Sequence, residues 1–296
     1  MESTNEKHVL VTGATSGIGY ELARIFAIEN YNLVLVARNE EILRQAALEM
    51  EALNPNIHAH IIATDLFEPD AAQKVYDATT ELGITVNILV NGAGQGEWGR
   101  FLKTDLQREI DLVQLNIVSL MSLTKFYLKE MVQRNEGKIL QLASSVSKAP
   151  SPYFSVYAAT KAFVLSFTEA LIEELKDTDI TVTALQPDAT DTDFFHKAKA
   201  ENTVTYKEKE LYTPEEVAKA GYEGLMNGDA RVLPGFLNKT QAAVNAILTD
   251  SAIASNMGKQ FESSMREDGR TEASHEPSRR ERELINLKKE SVNGDY

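Results

Sequence analysis

The sequence predicts an α/β fold: one domain built on a doubly wound parallel sheet with helices on both faces. From residue 8 to about 235, short apolar runs alternate with longer amphipathic stretches. The apolar runs lack the polar alternation of half-exposed strands, and this is typical of parallel strands that are buried on both faces. Right-handed crossovers through the intervening helices then produce the doubly wound arrangement.

Seven strands are predicted in chain order. They lie in the segments HVLVTG, NLVLVAR, IHAHIIATD, VNILVNGAG, GKILQLASS, DITVTALQP and the end of TPEEVAKAGYEGLMNGDARVLPG. Helical patterns separate them at residues 17–30, in EEILRQAALEMEAL, at 68–82, at about 104–134, around SVYAATKAF and from the Thr213 cap onward. Helices between successive strands are the connections that a parallel sheet requires.

Composition and charge narrow the class of protein. The chain has 296 residues, a net charge of −14 and no cysteine. An acidic surface repels nucleic acids and anionic membranes, and without cysteine there are no disulfides or thiolate metal sites. The five histidines show no metal-binding spacing, so no metal is expected. The N-terminus has no apolar signal region, and no uninterrupted apolar run reaches about 18 residues. We therefore expect a cytoplasmic protein with no membrane span and no nucleic-acid partner.

The predicted domain covers residues 1–260. From 261 to 296 the chain is polar, dense in charges of both signs and nearly free of aromatic residues. Such a segment cannot bury enough apolar surface to offset the entropy that is lost on ordering, so we expect a disordered tail. A role in docking a partner stays open for it.

A glycine-rich loop, TGATSGIG, lies between the first strand and the first helix. Gly13, Gly17 and Gly19 let the backbone approach a ligand, and the free N–H groups at the start of the helix bind anions. Thr15 and Ser16 could add hydroxyl donors. A plain tight turn is the alternative, but the strand–loop–helix context favours a Rossmann-like phosphate cradle for a dinucleotide.

The residues after the second and third strands indicate which dinucleotide is bound. Sites that prefer NAD place an acidic side chain at the end of the second strand, whereas here Ala37 is followed by Arg38. A planar guanidinium suits a 2′-phosphate, so NADP(H) is favoured. The alternative is that Glu40 or Glu41 binds the ribose and that Arg38 is an exposed charge. Asp65, after the third strand, is placed to contact the adenine amino group.

Tyr157 and Lys161 stand four positions apart in SVYAATKAF. On a helix, residues i and i+4 share a face, about 6 Å apart along the axis. The ammonium group favours the phenolate, so we expect the pKa of the phenol to fall below its usual value near 10. The pair would then exchange a proton with a carbonyl or an alcohol near neutral pH. Taken singly, the two residues are better explained as a packing aromatic and a surface charge.

Five motifs in order resemble the short-chain dehydrogenase/reductase family: TGATSGIG at 12–19, NGAG at 91–94, Asn116 in LVQLNIVSL, Ser144 in QLASS and YAATK at 157–161. The resemblance implies a catalytic tetrad of Asn116, Ser144, Tyr157 and Lys161. In such a tetrad, Ser144 binds the substrate oxygen and Asn116 holds a water that relays protons to Lys161. Lys161 also holds the nicotinamide ribose. Ser145 is the weaker candidate for the serine, because it lies twelve rather than thirteen residues before the tyrosine.

The resemblance spans about residues 7–235 and implies the rest of the cofactor site. The implied cofactor-binding residues are Gly13, Thr15, Ser16, Gly17, Ile18, Gly19, Arg38, Asp65, Asn91, Gly92, Ala93, Tyr157, Lys161, Pro187, Thr190 and Thr192. Residues 190–212 would form a lid that closes over the substrate and excludes water. The family forms oligomers, often by pairing the long helix with the helix that bears the tyrosine, so a homodimer or homotetramer is expected.

Two positions depart from the family pattern. Gly92 stands where the family often has asparagine, and it lacks a side chain that could brace the neighbouring strands, which puts the rigidity of the loop in question. Asp188 follows Pro187 where the family usually has glycine. It adds negative charge near the nicotinamide and could require a local adjustment of the backbone.

The sequence therefore predicts an NADP(H)-dependent oxidoreductase that transfers hydride between nicotinamide and a carbonyl or secondary alcohol, with Tyr157 as general acid/base. The segments GQGEWGRF and FFHKAKAENTVTY are expected to line the substrate pocket, where Trp98, Phe194 and Phe195 indicate an apolar portion. One alternative is a catalytically weak regulatory or scaffold protein, which the Asp188 departure and the charged tail favour. An epimerase or dehydratase is disfavoured by the small substrate region before residue 260.

Overall fold

The computed structural model describes residues 7–235 and 249–263. Seven strands form one sheet in the order β3-β2-β1-β4-β5-β6-β7, and every pairing is parallel. The strands are β1 (His8–Thr12), β2 (Asn32–Ala37), β3 (Ala59–Ala63), β4 (Val86–Asn91), β5 (Gly137–Leu142), β6 (Ile180–Leu185) and β7 (Arg231–Val232). The predicted doubly wound α/β fold is confirmed.

Helices connect the strands. The described residues contain α1 (Gly17–Ile28), α2 (Glu40–Leu53), α3 (Ala71–Glu81), α4 (Leu106–Val113), α5 (Leu120–Arg134), α6 (Ser155–Glu174), α7 (Phe194–Lys197), α8 (Val204–Glu208), α9 (Pro214–Asn227) and α10 (Asp250–Phe261). Because the strand order reverses between β1 and β4, a crevice opens at the carboxyl ends of these two strands, where open α/β sheets bind ligands.

Each strand sends side chains to both faces, which explains why the strand sequences are apolar throughout. On β1, Val9 and Val11 pack in a core with Phe26 of α1, whereas Leu10 packs on the other face in a core with Tyr127 of α5. Successive residues of a strand point to opposite faces, so two apolar layers require a continuous apolar run. Each fully buried side chain of this size contributes about 1.5–3 kcal/mol to folding.

The helical region predicted at 104–134 is interrupted by a π turn, Gln114–Ser119, between α4 and α5. Such a turn adds a residue to the helix and is frequent at functional sites. It contains Asn116, which is completely buried. The sequence pattern alone predicted the helix but not this interruption.

Helix α6 is the one helix of residues 7–235 and 249–263 that is long and apolar enough to cross a membrane. It packs against β5, β6 and the π turn, so its composition is weak evidence for a span. Helix α10 lies in the second described range, 249–263, and packs against α8. Most of the predicted disordered tail, 264–296, lies outside the described residues, and the domain boundaries stay predictions.

Candidate active site

A cavity of about 590 Å³ lies at the carboxyl edge of the sheet, beside β1 and β4. Sixteen of the predicted site residues line it: Gly13, Thr15, Ser16, Gly17, Ile18, Gly19, Arg38, Asp65, Gly92, Ala93, Ser144, Tyr157, Lys161, Pro187, Thr190 and Thr192. Asn91 and Asn116 are not in its lining. Motifs up to about 180 residues apart in sequence thus meet in one place, because parallel strands end at the same edge.

The glycine loop forms a cradle that admits no side chain. A Cβ atom on Gly19 would lie 2.4 Å from the carbonyl oxygen of Gly13, and Gly17 has a positive φ of 57°. Helix α1 begins at Gly17, and the side chain of its N-cap residue, Ser16, makes no capping hydrogen bond. The N–H groups of the first turn therefore face the cavity as donors for an anion.

Arg38 lines the same cavity and has an aromatic neighbour. Its guanidinium is 5.5 Å from the centre of the Phe67 ring, and its Nη1 is 4.0 Å from Oδ2 of Asp65. The side chain of Arg38 is 53% exposed, so the charge is available to a ligand. Asp65 accepts a hydrogen bond from the backbone N–H of Phe67 at 3.1 Å, which holds its carboxylate at this position.

Asn91 points into the sheet rather than into the cavity. Its Nδ2 donates to Oγ1 of Thr124 and to Oε1 of Gln141, each at 3.0 Å. The side chain is 2% exposed. The structure therefore places Asn91 as a brace between β4, β5 and α5, next to the predicted cofactor-binding residues that line the cavity.

Gly92 lies in close contact with the end of β1. The N–H groups of Gly92 and Ala93 both donate to Oγ1 of Thr12 at 3.1 Å. A Cβ atom on Gly92 would lie 2.8 Å from the carbonyl oxygen of Thr12, closer than real Cβ atoms come. The close approach of β1 therefore requires glycine here, and Thr12 holds the backbone, while the effect of Gly92 on rigidity stays a prediction.

The tyrosine, serine and lysine of the predicted tetrad meet in the cavity. Tyr157 and Lys161 share one face of α6, and Nζ of Lys161 lies 5.9 Å from the centre of the Tyr157 ring. The same Nζ donates to the carbonyl oxygen of Leu142 at 2.6 Å. Ser144 caps the 3₁₀ turn Ser145–Lys148, which sets its hydroxyl at the end of β5.

Burial controls the pKa values of this pair. It raises the pKa of Tyr157 to about 12, and interaction with the Ser144 hydroxyl opposes the shift. Burial also lowers the pKa of Lys161 to about 8. The expectation that Lys161 lowers the pKa of Tyr157 is therefore wrong in this structure, because desolvation disfavours the charged form of each group. At neutral pH the phenol holds its proton.

Asn116 is held by the loop that follows β4. Its Oδ1 accepts from the backbone N–H of Gln95 at 3.1 Å, and its Nδ2 donates to the Gln95 carbonyl at 2.9 Å. Nδ2 also donates to Oγ1 of Thr160 at 3.0 Å. Thr160 precedes Lys161 on α6, so Asn116 links this loop to the helix that carries the tyrosine and lysine.

Asp188 fits its position without unusual backbone conformation. It is not among the residues with positive φ, and its Oδ1 accepts from the hydroxyl of Ser145 at 3.0 Å. The hydroxyl of Thr190 donates to the Asp188 carbonyl at 2.8 Å. Asp188 therefore does not adopt the left-handed conformation that favours glycine. The hydroxyl of Ser144 interacts with the phenol of Tyr157, whereas the hydroxyl of Ser145 donates to Asp188.

The predicted lid, 190–212, contains α7 and α8 and contacts the loop after β4. The backbone N–H of Trp98 donates to the carbonyl of Ala198 at 2.9 Å, and Nζ of Lys199 lies 3.0 Å from Oε1 of Glu97. Lys199 has a positive φ of 59°. The lid thus contacts two neighbouring residues of this loop, Glu97 and Trp98.

Aromatic side chains form the wall of the cavity around the tyrosine. The ring of Phe194 lies 5.0 Å from that of Tyr157, and the ring of Phe154 lies 5.8 Å from it. Phe261 of α10 packs edge-on against Phe154 at 4.9 Å. Predicted pocket residues Phe194 and Phe195 line the cavity, whereas Trp98 lies outside the lining and donates from Nε1 to the Phe261 carbonyl at 2.7 Å.

Sequence reasoning missed the contribution of α10. Met257, Gln260 and Phe261 line the cavity, and Oγ1 of Thr205 donates to the Gln260 carbonyl at 2.9 Å. The signal was weak, because the segment follows the last predicted strand and matched no motif. In the described residues, no group of three or more His, Cys, Asp or Glu could hold a metal ion.

The chain is similar in sequence and in fold to known dehydrogenases and reductases. A family model described as short chain dehydrogenase matches residues 7–203. A very-long-chain 3-oxoacyl-CoA reductase of Mycosarcoma maydis is 34% identical over 184 residues, which are 62% of this chain and 53% of that protein. The chain thus spans about half the length of the curated relatives that it matches first.

Two solved structures are similar. A short-chain dehydrogenase from Sphingobium yanoikuyae in complex with NADPH is 29% identical, with a TM-score of 0.72, and the match covers 82% of this chain and 96% of that one. A bulky-bulky ketone specific alcohol dehydrogenase from Comamonas testosteroni is 27% identical, with a TM-score of 0.69, and the match covers 84% and 97% of the two chains.

Proposed function

The chain belongs to the short-chain dehydrogenase family, and from this premise we propose that it is an NADP(H)-dependent oxidoreductase acting on a carbonyl or secondary alcohol. The observation that carries the proposal is the convergence of Ser144, Tyr157 and Lys161 on the cavity beside the glycine cradle. Single residues of these types are common, but their meeting at the switch point of the sheet requires a shared site.

The residues of the cavity fit a dinucleotide. Gly17 and Gly19 let the glycine loop pack closely, because a Cβ atom there would collide with Thr192 or Gly13, and both residues line the cavity. The amino-terminal N–H groups of α1 would hold a phosphate. Lys161, which is buried and lines the same cavity, would hold the nicotinamide ribose. When bound, the nicotinamide supplies or accepts the hydride.

Tyr157 would move the proton of this reaction. Its phenol is protonated at neutral pH and lines the cavity, so it can donate to a carbonyl oxygen in the reduction. Ser144 lies at the end of β5 and would hydrogen-bond the same oxygen, where negative charge develops. A charged Lys161 close to the ring would stabilise the phenolate that remains after transfer.

The preference for NADP(H) over NAD(H) rests on Arg38. An exposed guanidinium follows β2, where NAD-preferring sites carry an acidic side chain. The solved structure from Sphingobium yanoikuyae, which is a complex with NADPH, supports the same preference by similarity.

The proposed substrate is a ketone or secondary alcohol with an apolar portion. The wall around Tyr157 contains Phe154, Phe194, Met257 and Phe261, which suit an apolar group better than a small polar one. The names of similar proteins, a 3-oxoacyl-CoA reductase and a bulky-bulky ketone specific alcohol dehydrogenase, support a carbonyl substrate of this kind.

The test is turnover with a panel of ketones. Purified protein is mixed with NADPH or NADH, and the absorbance of the reduced cofactor is followed. We expect oxidation of NADPH that falls about 10²–10⁴-fold in Tyr157→Phe, because a positioned proton donor contributes that much. Tyr222→Phe, on α9 and away from the cavity, is the matched control and should keep its rate.

Two outcomes contradict the proposal. Turnover that is equal in Tyr157→Phe and the native protein excludes this residue as the proton donor. Cofactor binding without turnover across a broad panel favours the catalytically weak regulatory or scaffold protein instead.

A homodimer or homotetramer and a cytoplasmic location are also proposed. Three apolar residues at i, i+4 and i+7 of α4, Leu106, Ile110 and Val113, are exposed and lie on one helix face. Such a stripe on the long helix suits pairing with a second copy. Detection of the monomer only, by light scattering after size-exclusion chromatography, would contradict the proposed oligomer. Cell fractionation tests the proposed cytoplasmic location.

A further inference from the structure

Glu97 carries a buried carboxylate between two cations. The residue is 7% exposed and lies in the loop between β4 and α4. Its Oε1 is 3.0 Å from Nζ of Lys199 and its Oε2 is 3.5 Å from Nε of Arg108. A buried carboxylate is costly to keep charged unless it is paired, so each cation has a reason to stay in place.

Arg108, one of these two cations, contacts a residue that is hydrogen-bonded to Asn116 of the predicted tetrad. Nη2 of Arg108 donates to Oε1 of Gln95 at 2.6 Å, and the guanidinium lies 5.4 Å from the centre of the Phe67 ring. The backbone of Gln95 is held on both its polar groups by Asn116. Arg108 therefore orients the residue that in turn orients the asparagine of the tetrad.

Lys199, the other cation, belongs to the predicted lid. Lys199 follows α7 and adopts a left-handed conformation, which non-glycine residues rarely hold without support. Beside it, the backbone N–H of Trp98 donates to the carbonyl of Ala198. The contacts from Glu97 and Trp98 are thus two adjacent attachments of the lid to the loop after β4.

None of the three charged residues lines the cavity, whereas Gln95 does. Glu97, Arg108 and Lys199 thus lie outside the cavity, and we expect any effect on the reaction to pass through other residues. We propose that Glu97 is a positioning residue: its two ion pairs join the lid to the asparagine end of the catalytic tetrad. This inference rests on the proposed function for its kinetic consequences.

The proposal predicts a separation of kinetic effects. Lys199→Met removes only the lid contact, so KM for the ketone should rise about threefold or more while kcat stays within about twofold. Arg108→Met removes the contacts of Arg108 with Gln95, Glu97 and Phe67 but leaves the ion pair of Glu97 with the lid, so kcat should fall about threefold or more with KM within about twofold. Glu97→Gln removes both ion pairs and should lower kcat/KM by about tenfold.

Two matched variants separate these effects from general damage. Lys199→Arg keeps a cation that can reach the carboxylate, and its kcat and KM should both match the native values. Glu201→Gln removes a carboxylate that pairs within the lid, with His196 at 2.6 Å. Because Glu201 contacts neither the loop after β4 nor the cavity, this variant should keep native kinetics.

Fluorescence tests the lid contact without turnover. Trp98 is the only tryptophan of the chain, and it lies next to Glu97 with its backbone bonded to the lid. Glu97→Gln and Lys199→Met should shift its emission, whereas Lys199→Arg and Glu201→Gln should not. This measurement stands even if no ketone is turned over, so failure of the proposed function and failure of this inference are distinguishable.

Three results overturn the inference. One is unchanged emission in both Glu97→Gln and Lys199→Met. Another is a shift of emission in Glu97→Gln with kcat and KM unchanged, since Glu97 would then hold the lid without affecting the reaction. The third is a change of kcat and KM in Glu201→Gln as large as the change in Glu97→Gln. That result would mean that removing any charge from the lid region has the same effect.

Discussion

Lys161 donates a hydrogen bond of 2.6 Å from Nζ to the carbonyl oxygen of Leu142, at the end of β5. This bond holds the amine beneath the cavity, in contact with the sheet as well as on the face of α6 that bears Tyr157. Lys161 is 3% exposed, and burial lowers the pKa of its amine to about 8. The buried position that places Lys161 beside Tyr157 therefore also makes its ammonium form less favourable.

The first prediction concerns Lys161 and stability. In the unfolded chain its pKa is near 10.5, so between about pH 8 and 10.5 the unfolded state binds more protons and the free energy of unfolding rises with pH. Below about pH 8 the folded protein bears the full cost of the buried charge. Lys161→Met should therefore raise the free energy of unfolding at pH 7 by up to about 3 kcal/mol.

Urea denaturation of protein without added cofactor, at pH 7 and at pH 10, measures this difference. The gain of Lys161→Met should shrink toward pH 10, where the native amine is neutral. Lys176→Met, which alters an exposed lysine just after α6, should show no such pH dependence. A Lys161→Met protein that is less stable at both pH values contradicts the prediction.

The second prediction concerns the choice of cofactor. Arg38→Ala should weaken binding of NADPH about 10- to 100-fold, because a charge-assisted contact with a phosphate is worth about 1.5–3 kcal/mol. Binding of NADH, which lacks the 2′-phosphate, should change little. Calorimetric titration of both cofactors measures this, with Arg44→Ala on α2 as an exposed control that does not line the cavity. Equal weakening of both cofactors would assign Arg38 another role.

The third prediction concerns Asp188. Its carboxylate lines the cavity near the end of β6, where the family resemblance puts the nicotinamide. Oxidised nicotinamide is positively charged and the reduced ring is neutral, so Asp188 should favour NADP⁺. Asp188→Asn keeps an acceptor for Ser145 and should weaken NADP⁺ relative to NADPH by about threefold to tenfold. Fluorescence titration of both forms gives the ratio, and an unchanged ratio contradicts this electrostatic role.

The fourth prediction concerns Gly92. A methyl group there would lie 2.8 Å from the Thr12 carbonyl and force β1 and β4 apart, so Gly92→Ala should lower the free energy of unfolding by about 1–3 kcal/mol. Gly258→Ala, within helix α10, is the control, because the added Cβ would lie at an ordinary contact distance of 3.5 Å from Pro152. That variant should be neutral or stabilised by up to about 1 kcal/mol. Native stability in Gly92→Ala would refute the steric explanation.

Much of the candidate site could be predicted because its signals are local. The glycine loop joins β1 to α1 over a few residues, and the spacing of Tyr157 and Lys161 corresponds to one helical turn. Parallel strands also bring their carboxyl ends to the same edge of a sheet, whatever side chains they carry. The ends of β1, β4, β5 and β6 were therefore expected to lie at one edge. The sequence by itself determined the fold class and the place of the site.

Only the tertiary structure decided how the site is shaped and charged. The contact of Trp98 with Phe261 joins residues 163 positions apart, and it brings α10 into the cavity wall. The lowered pKa of Lys161 and the two ion pairs of Glu97 likewise depend on burial by distant segments. Such contacts have no local pattern, because desolvation and packing depend on which surfaces meet after the chain has folded.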